Sequence, residues 1–215
     1  KNQKCSYNKV NIFPQMMMAY SGFSANVAGI LMSGQPINPD FLKAVIQAKN
    51  ATIEVTKNFV SRISNPSQIL GGILGPLMDT VFAEYGNMPN PRARTPEVLN
   101  LLTVLFSKMK DSIMDFLNPI LEVIFMPTLD MIRDDFEQNP TFRLPFYNLL
   151  KTLIQGYLPQ LSQISEGFSL IVQTVQWGYQ HPIHDVCETS LDTIESVIEK
   201  EKPNIIENLA YFKIR

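Results

Sequence analysis

The stretch Thr95-Pro-Glu-Val-Leu-Asn-Leu-Leu-Thr-Val-Leu-Phe-Ser-Lys-Met109 decides the fold class. Its apolar residues Val98, Leu102, Leu105 and Met109 follow one another at steps of four, three and four. This spacing places all four on one face of a helix, because a helix turns once in about 3.6 residues. The stretch therefore predicts an amphipathic helix with one buried face.

The same period recurs along the whole chain. Eight apolar rows with steps of three, four or seven begin at Met16, Phe41, Ile69, Val98, Leu117, Phe146, Phe168 and Cys187. Proline dipeptides separate several of them, at Asn65-Pro66, Asn90-Pro91, Asn139-Pro140 and His181-Pro182. The residue before proline is pushed out of the helical region, so these dipeptides mark turns. With no hairpin signal competing, the sequence predicts an all-α chain.

The spacing of the helices indicates a repeat. Alternate segments begin near residues 10, 66, 116, 165 and 203, at spacings of roughly 56, 50, 49 and 38, close to the period of HEAT or armadillo helix pairs. Antiparallel pairs of this kind stack into a superhelical solenoid with a concave binding face. We expect residues 1–215 to form one continuous HEAT-repeat segment of about four helix pairs plus the start of a fifth, as a fragment of a longer chain.

Composition excludes several classes of function. The 18 Lys and Arg residues against 20 Asp and Glu residues leave a net charge of −2, which gives no reason to bind nucleic acid or an anionic membrane. The run from Val10 to Pro39 lacks charge, but polar residues interrupt it and its apolar row is one-sided, so we expect no membrane span. Cys5 and Cys187 lie far apart, which fits free thiols in a reducing compartment.

Few residues suit catalysis or metal binding. His181, His184 and Cys187 lie close together but lack the spacing of known zinc motifs, so we predict a turn with a buried thiol. The run Gly71-Gly-Ile-Leu-Gly-Pro76 is not a phosphate-binding loop, and close approach of a neighbouring helix explains its glycines. We therefore expect no catalytic residue, no metal, no cofactor and no enzymatic activity.

An acidic stripe is the most suggestive polar pattern. It consists of Glu188, Asp192, Glu195 and Glu199, which follow one another at steps of four, three and four. We place this stripe opposite the apolar row that begins at Cys187. Two interpretations remain open, namely a solvated outer face and a docking surface for a basic partner.

Several stretches, in their order and with their spacing, resemble the exportin-1 family of karyopherins. They are Phe59-Val-Ser-Arg-Ile-Ser-Asn-Pro66, Thr95-Pro-Glu-Val-Leu99, Thr128-Leu-Asp-Met-Ile132 with Asp135-Phe-Glu137 and Pro140, and Val175-Gln-Trp-Gly-Tyr-Gln-His181. The resemblance covers nearly the whole chain and is weaker before Asn50 and after Lys200. It implies the C-terminal HEAT repeats of a receptor for leucine-rich nuclear export signals.

The resemblance also implies partners. Members of this family work with the GTP form of Ran and with export cargo proteins, meet nucleoporins, and shuttle between nucleus and cytoplasm. The export-signal groove lies earlier in the family's chain, so this segment is expected to be scaffold and Ran-facing surface. By analogy with the inner helices of the family, the expected partner-binding residues are Asn100, Thr103, Ser107, Lys110, Asn148, Lys151, Gln155, Glu188, Asp192, Glu195 and Glu199. The alternative is a generic HEAT-repeat scaffold with another partner.

Overall fold

The computed structural model describes the backbone of residues 12–163 and 165–213, and the side chains of residues 12–163, 168–200 and 202. This part of the chain contains eight segments of α- or π-helix, two short 3₁₀ helices (Pro91–Ala93 and Lys110–Ile113) and no strand, which confirms the predicted all-α class. The segments are α1 (Phe13–Met32), α2 (Pro39–Arg62), α3 (66–87), α4 (Glu97–Met109), α5 (Met114–Ile132), α6 (Pro140–Leu161), α7 (Ser165–Gly178) and α8 (His184–Lys213).

The chain divides into two compact units, unit 1 (residues 1–142) and unit 2 (residues 143–215). The predicted superhelical stacking of HEAT repeats stays a prediction. Of the two cysteines, Cys187 is a free thiol, whereas Cys5 lies outside the described residues.

Asparagine followed by proline starts helices in unit 1. The Asn38 side chain accepts hydrogen bonds from the backbone N–H groups of Asp40 and Phe41, and the Asn65 side chain accepts one from Ser67. In each case proline occupies the first helical position, where its missing N–H costs nothing. The predicted turn at Asn65-Pro66 is therefore a helix cap with a defined hydrogen-bonding role.

Helix α3 contains two wide turns. Leu70–Leu74 and Met78–Phe82 are π-helical, on either side of Gly75–Leu77. Pro76 has no N–H to donate to the preceding turn, which favours such local rearrangement of the helix. The prediction that a neighbouring helix approaches the glycines of this run closely is wrong, because a Cβ at Gly71, Gly72 or Gly75 would meet no atom within 4 Å.

A different glycine allows close packing in unit 1. A Cβ at Gly86, near the end of α3, would lie 2.9 Å from the carbonyl oxygen of Val123 in α5. That carbonyl lacks its usual helical donor, because the residue four positions later is Pro127. Gly86 therefore lets the end of α3 approach the part of α5 where proline has removed a hydrogen bond.

The core of unit 1 lies where α1, α2, α3, α4 and α5 pack against one another. The row predicted from the opening stretch is buried at every position, from Val98 to Met109. On α2 the predicted apolar row that begins at Phe41 is wrong at two positions, since Phe41 and Val55 are 59% and 56% exposed, whereas Val45 of the same row packs against the core. The buried residues of α2 are Lys49, Ile53, Thr56 and Val60, and two of them, Lys49 and Thr56, are polar.

Lys49 is buried because it belongs to a polar network that joins three helices. Its Nζ lies 2.9 Å from Glu84 Oε1 of α3 and donates to the carbonyl oxygen of Ala93 at 2.8 Å. From α1, the hydroxyl groups of Tyr20 and Ser24 both donate to the Glu84 carboxylate. Burial lowers the pKa of Lys49, and burial together with the Glu84 charge raises the pKa of Tyr20.

By length and composition alone, the run Glu97–Ile132 could cross a membrane. It consists of α4 and α5 with a break between them, where Lys110 has a φ of 45°. Leu101, Leu105 and Ile124 of this run are buried in the core of unit 1. Core packing therefore accounts for its apolar character.

Unit 2 is built around aromatic side chains. The ring of Tyr147 in α6 stacks on Trp177 of α7 with centroids 6.5 Å apart, and the Tyr147 hydroxyl donates to the Thr174 carbonyl at 3.0 Å. The guanidinium of Arg143, which is fully buried, lies 5.4 Å from the centre of the Trp177 ring. Stacking and the cation–π contact thus fix α6 against α7.

Candidate partner-binding surface

A polar seam joins α6 to α8 in unit 2. Lys151 Nζ lies 2.7 Å from Asp192 Oδ2, and the Gln155 side chain donates to Ser196 Oγ at 3.1 Å. The seam thus contains three of the residues predicted to meet a partner, namely Lys151, Gln155 and Asp192. The side chains of Lys151 and Asp192 keep 30% and 47% of their surface exposed, so the pair lies at the edge of the seam.

The seam contains a backbone irregularity that α8 stabilises. In α6, Tyr157 has non-helical angles (φ −135°, ψ 19°), and Pro159 has no N–H to donate to the Gln155 carbonyl. The ammonium group of Lys200 donates to that carbonyl and to the carbonyl of Ile154. Lys200 therefore supplies hydrogen bonds that the kinked helix cannot make for itself.

The face of α8 that packs inward differs from the predicted one. Val186, Ser190 and Thr193 are buried, whereas Leu191 and Ile198 are 51% and 57% exposed. The prediction that Leu191 and Ile198 belong to the core row is wrong. Small hydroxyl residues take the inward positions because they let α8 approach its neighbours closely, and their hydroxyl groups bond to carbonyls one turn earlier in the same helix.

The outer face of α8 carries the acidic stripe together with an aliphatic row. Glu188, Glu195 and Glu199 are exposed, and Asp192 is half-buried in its pair with Lys151. The aliphatic row, defined as Leu191, Ile194 and Ile198, runs beside these carboxylates and lines a shallow, open groove of about 690 Å³, whose described lining residues all lie on α8. Stripe and row therefore lie side by side on the surface, not on opposite faces of the helix as predicted.

The remaining predicted partner residues lie on α4, just after the end of α4, and on α6. Asn100 donates to the Glu97 side chain at 3.1 Å, Thr103 donates to the Leu99 carbonyl, and Ser107 donates to the Thr103 carbonyl. Lys110 is exposed at the break after α4, and Asn148 is half-buried on α6. Their role in partner binding stays a prediction.

The first turn of α8 offers three groups that could contact a cation. His184 Nδ1 lies 3.7 Å from both Asp185 Oδ1 and Glu188 Oε2, and all three side chains are exposed. The positive end of the helix dipole opposes a cation at this position. Cys187 points elsewhere, since its Sγ lies 3.0 Å from the Tyr179 carbonyl oxygen, so the thiol does not join His184 in a ligand set.

His181 is a structural part of the turn before α8. It is 4% exposed, its Nδ1 accepts a hydrogen bond from the Ile183 N–H at 3.0 Å, and its ring meets the edge of Trp177 at 5.6 Å. Burial, followed by the positive charge of Arg143, lowers the pKa of His181 below its usual 6.5. A proton on Nδ1 would also remove the acceptor for Ile183.

We expect the stability of unit 2 to fall as the pH drops below about 6.5, the pKa of an unfolded histidine. In that range the unfolded state binds a proton at His181 that the folded state does not. Each pH unit therefore lowers the free energy of unfolding by at most about 1.4 kcal/mol, until the pH reaches the pKa of His181 in the folded state. Urea unfolding between pH 5 and 7.5 measures this through the fluorescence of Trp177, the one tryptophan in the chain.

Two variants test the assignment to His181. His181→Asn keeps a side-chain acceptor for the Ile183 N–H but cannot be protonated, so it should flatten the pH dependence. His184→Gln, at the exposed histidine, should leave it unchanged. The same slope in His181→Asn as in the original chain would contradict the assignment.

The sequence of residues 10–212, which spans all eight helical segments, matches the protein family described as CRM1 C terminal. Protein EXPORTIN 1A of Arabidopsis thaliana is 28% identical over 192 residues, covering 87% of this chain and 18% of that protein. Exportin-1 of Dictyostelium discoideum is 28% identical over 172 residues (80% of this chain, 16% of that protein). Exportin-1 of Drosophila melanogaster is 26% identical over 195 residues (87% and 18%).

The chain spans less than a fifth of the length of each of these relatives. The match runs through both units, and it includes the residues of the polar seam, the acidic stripe and the aliphatic row. The family match covers far more than half of the chain. The chain therefore belongs to the CRM1 C-terminal family.

Proposed function

We propose that this chain is part of a nuclear export receptor, a transport protein and not an enzyme, that works between nucleus and cytoplasm. The observation that carries the proposal is the family match over residues 10–212, together with relatives that are named exportins. The all-helical fold supports it, because stacked helices present extended surfaces to protein partners. The receptor's partners in this proposal are the GTP form of Ran and export cargo proteins.

Within that receptor we assign the outer carboxylates of α8 to the contact with Ran. Glu188, Glu195 and Glu199 are exposed, whereas Asp192 already pairs with Lys151 at 2.7 Å. Exposed carboxylates attract basic side chains over several ångströms and act mainly on the rate of association. The three exposed carboxylates are therefore the part of the acidic stripe that is available to steer a partner.

Reversing Glu188, Glu195 and Glu199 to lysine in the intact protein should slow association with the GTP form of Ran about 3- to 10-fold at low salt. The difference should shrink as salt rises, because the Debye length falls to about 8 Å at 0.15 M. Stopped-flow or biosensor kinetics over a salt series measure both effects. Asp192 stays unchanged in the variant, so the α6–α8 seam remains intact.

The matched control places the same charge change on unit 1, by reversing Glu122, Asp134 and Glu137, which are also exposed or half-exposed. This control should leave the association rate nearly unchanged. If the original chain and the α8 variant associate with Ran at equal rates at every salt concentration, the stripe is a solvated face and does not bind Ran. Binding that does not depend on whether GTP or GDP occupies Ran would favour the generic HEAT-repeat scaffold instead.

A further inference from the structure

The aliphatic row lies on the outer face of α8, where its side chains are partly exposed. Leu191 and Ile198 are about half exposed, and with Ile194 they follow one another at steps of three and four. This spacing aligns them along one side of the helix for two turns, a length of about 10 Å. Exposed aliphatic side chains that are contiguous and bordered by polar residues mark protein-binding surfaces.

One border of the row is acidic. Glu195 and Glu199 line the groove beside Ile194 and Ile198, and Lys202 is the one cation among the described groove residues. Asp192 also borders the groove, but its carboxylate pairs with Lys151. The described surface of α8 thus offers aliphatic side chains along one side and carboxylates along the other, and this arrangement complements a ligand with apolar and basic faces.

We infer that this groove binds a basic amphipathic helix of a partner protein. A helix fits because aliphatic residues at steps of three and four form ridges that take the i, i+3, i+4 and i+7 side chains of another helix. A basic helix fits because Glu195 and Glu199 run parallel to the aliphatic row. The inference rests on the proposed function in one respect, namely that this face is open in the working receptor.

The test uses a fluorescent 14-residue peptide of leucine and lysine in helical amphipathic order, and a second peptide with the same composition scrambled. Fluorescence anisotropy with the 215-residue chain should give at least tenfold tighter binding for the ordered peptide. Leu191→Ser with Ile198→Ser should weaken binding of the ordered peptide at least tenfold and so remove its advantage over the scrambled peptide. Glu195→Lys with Glu199→Lys should weaken binding of both peptides and flatten its dependence on salt.

The control variant carries the same kind of change in unit 1, at Leu70 and Met126, which are each 41% exposed. Replacing both with serine should leave peptide binding unchanged. Equal affinity for ordered and scrambled peptides, or full binding by the Leu191/Ile198 variant, would overturn the inference. So would a dimer in sedimentation that this variant dissociates, because a second copy would then occupy the groove.

Ran kinetics separate this inference from the proposed function. If the Leu191/Ile198 variant loses peptide binding but keeps its association rate with the GTP form of Ran, the aliphatic row is not needed for the Ran contact, and both proposals stand. If Ran kinetics respond to the carboxylate reversals while no variant affects peptide binding, only the groove inference fails. If Leu191→Ser with Ile198→Ser lowers the melting temperature of the intact protein much more than that of the 215-residue chain, another segment covers the row, which overturns the inference.

Discussion

Replacing Glu84 by leucine should lower the free energy of unfolding of unit 1 by about 3–5 kcal/mol. The substitution leaves the ammonium group of Lys49, which is 2% exposed, without the carboxylate 2.9 Å away. The Ala93 carbonyl and the face of the Tyr20 ring, 5.3 Å from Nζ, are then its remaining polar contacts in this network. An unpaired buried charge is among the most destabilising changes a core can undergo.

A double variant separates the cost of losing the ion pair from the cost of leaving the Lys49 charge buried without a partner. Lys49→Met with Glu84→Leu removes both charges and should recover much of the loss, because two apolar side chains of similar size can replace a buried ion pair at little cost. Urea unfolding by far-UV circular dichroism gives the free energies, and hydrogen exchange in α2 locates the effect. The partly exposed pair of Glu54 and Lys57, within one helix, provides the control, since Glu54→Gln should cost less than about 0.5 kcal/mol. A loss below about 1 kcal/mol for Glu84→Leu would contradict the network's proposed role.

The positions of the helices could be predicted from the sequence. Apolar spacing located all eight segments, and Asn65, in the turn that follows α2, caps the next helix, as the proline rule indicates. Val98, Leu102, Leu105 and Met109 are buried as their spacing predicts. These features depend on contacts within about four residues, which a single sequence contains.

The face that a helix turns inward was harder to predict, because it depends on partners distant in the chain. Lys49 looks like a surface residue until Glu84, 35 positions later, is placed beside it. On α8, Ser190 and Thr193 are buried and Leu191 is exposed, so hydrophobicity alone gives the wrong face. In both helices a polar side chain is buried because it finds a hydrogen bond or allows close packing, and neither condition is visible in helical periodicity.

The sequence also does not show which glycines allow close packing between helices. The cluster at Gly71 and Gly72 attracts attention in the sequence, but open space surrounds it. Gly178, the last residue of α7, is an isolated glycine in a helical pattern, yet a Cβ there would lie 2.2 Å from both Ser190 Oγ and Tyr147 Cε1. Three helices of unit 2 meet at this point, and only a residue without a side chain leaves room for them.

Replacing Gly178 by alanine should therefore destabilise unit 2 by about 3 kcal/mol, the upper part of the usual range for an overpacked core. Tyr147 and Ser190 are 1% and 0% exposed, so neither can move into solvent to admit the methyl group. The stacking of Tyr147 on Trp177 should loosen as well, and a change in Trp177 fluorescence in the folded state would report it.

Gly156→Ala is the matched control in the same unit. No atom lies within 4 Å of a Cβ at Gly156, so alanine should stabilise α6 by about 0.5–1 kcal/mol through the lower entropy of the unfolded chain. Urea unfolding followed at Trp177 should thus shift in opposite directions for the two glycine variants. Equal midpoints for Gly178→Ala and the original chain would mean that α7 and α8 can separate at Gly178, and that this contact does not determine how the helices of unit 2 pack.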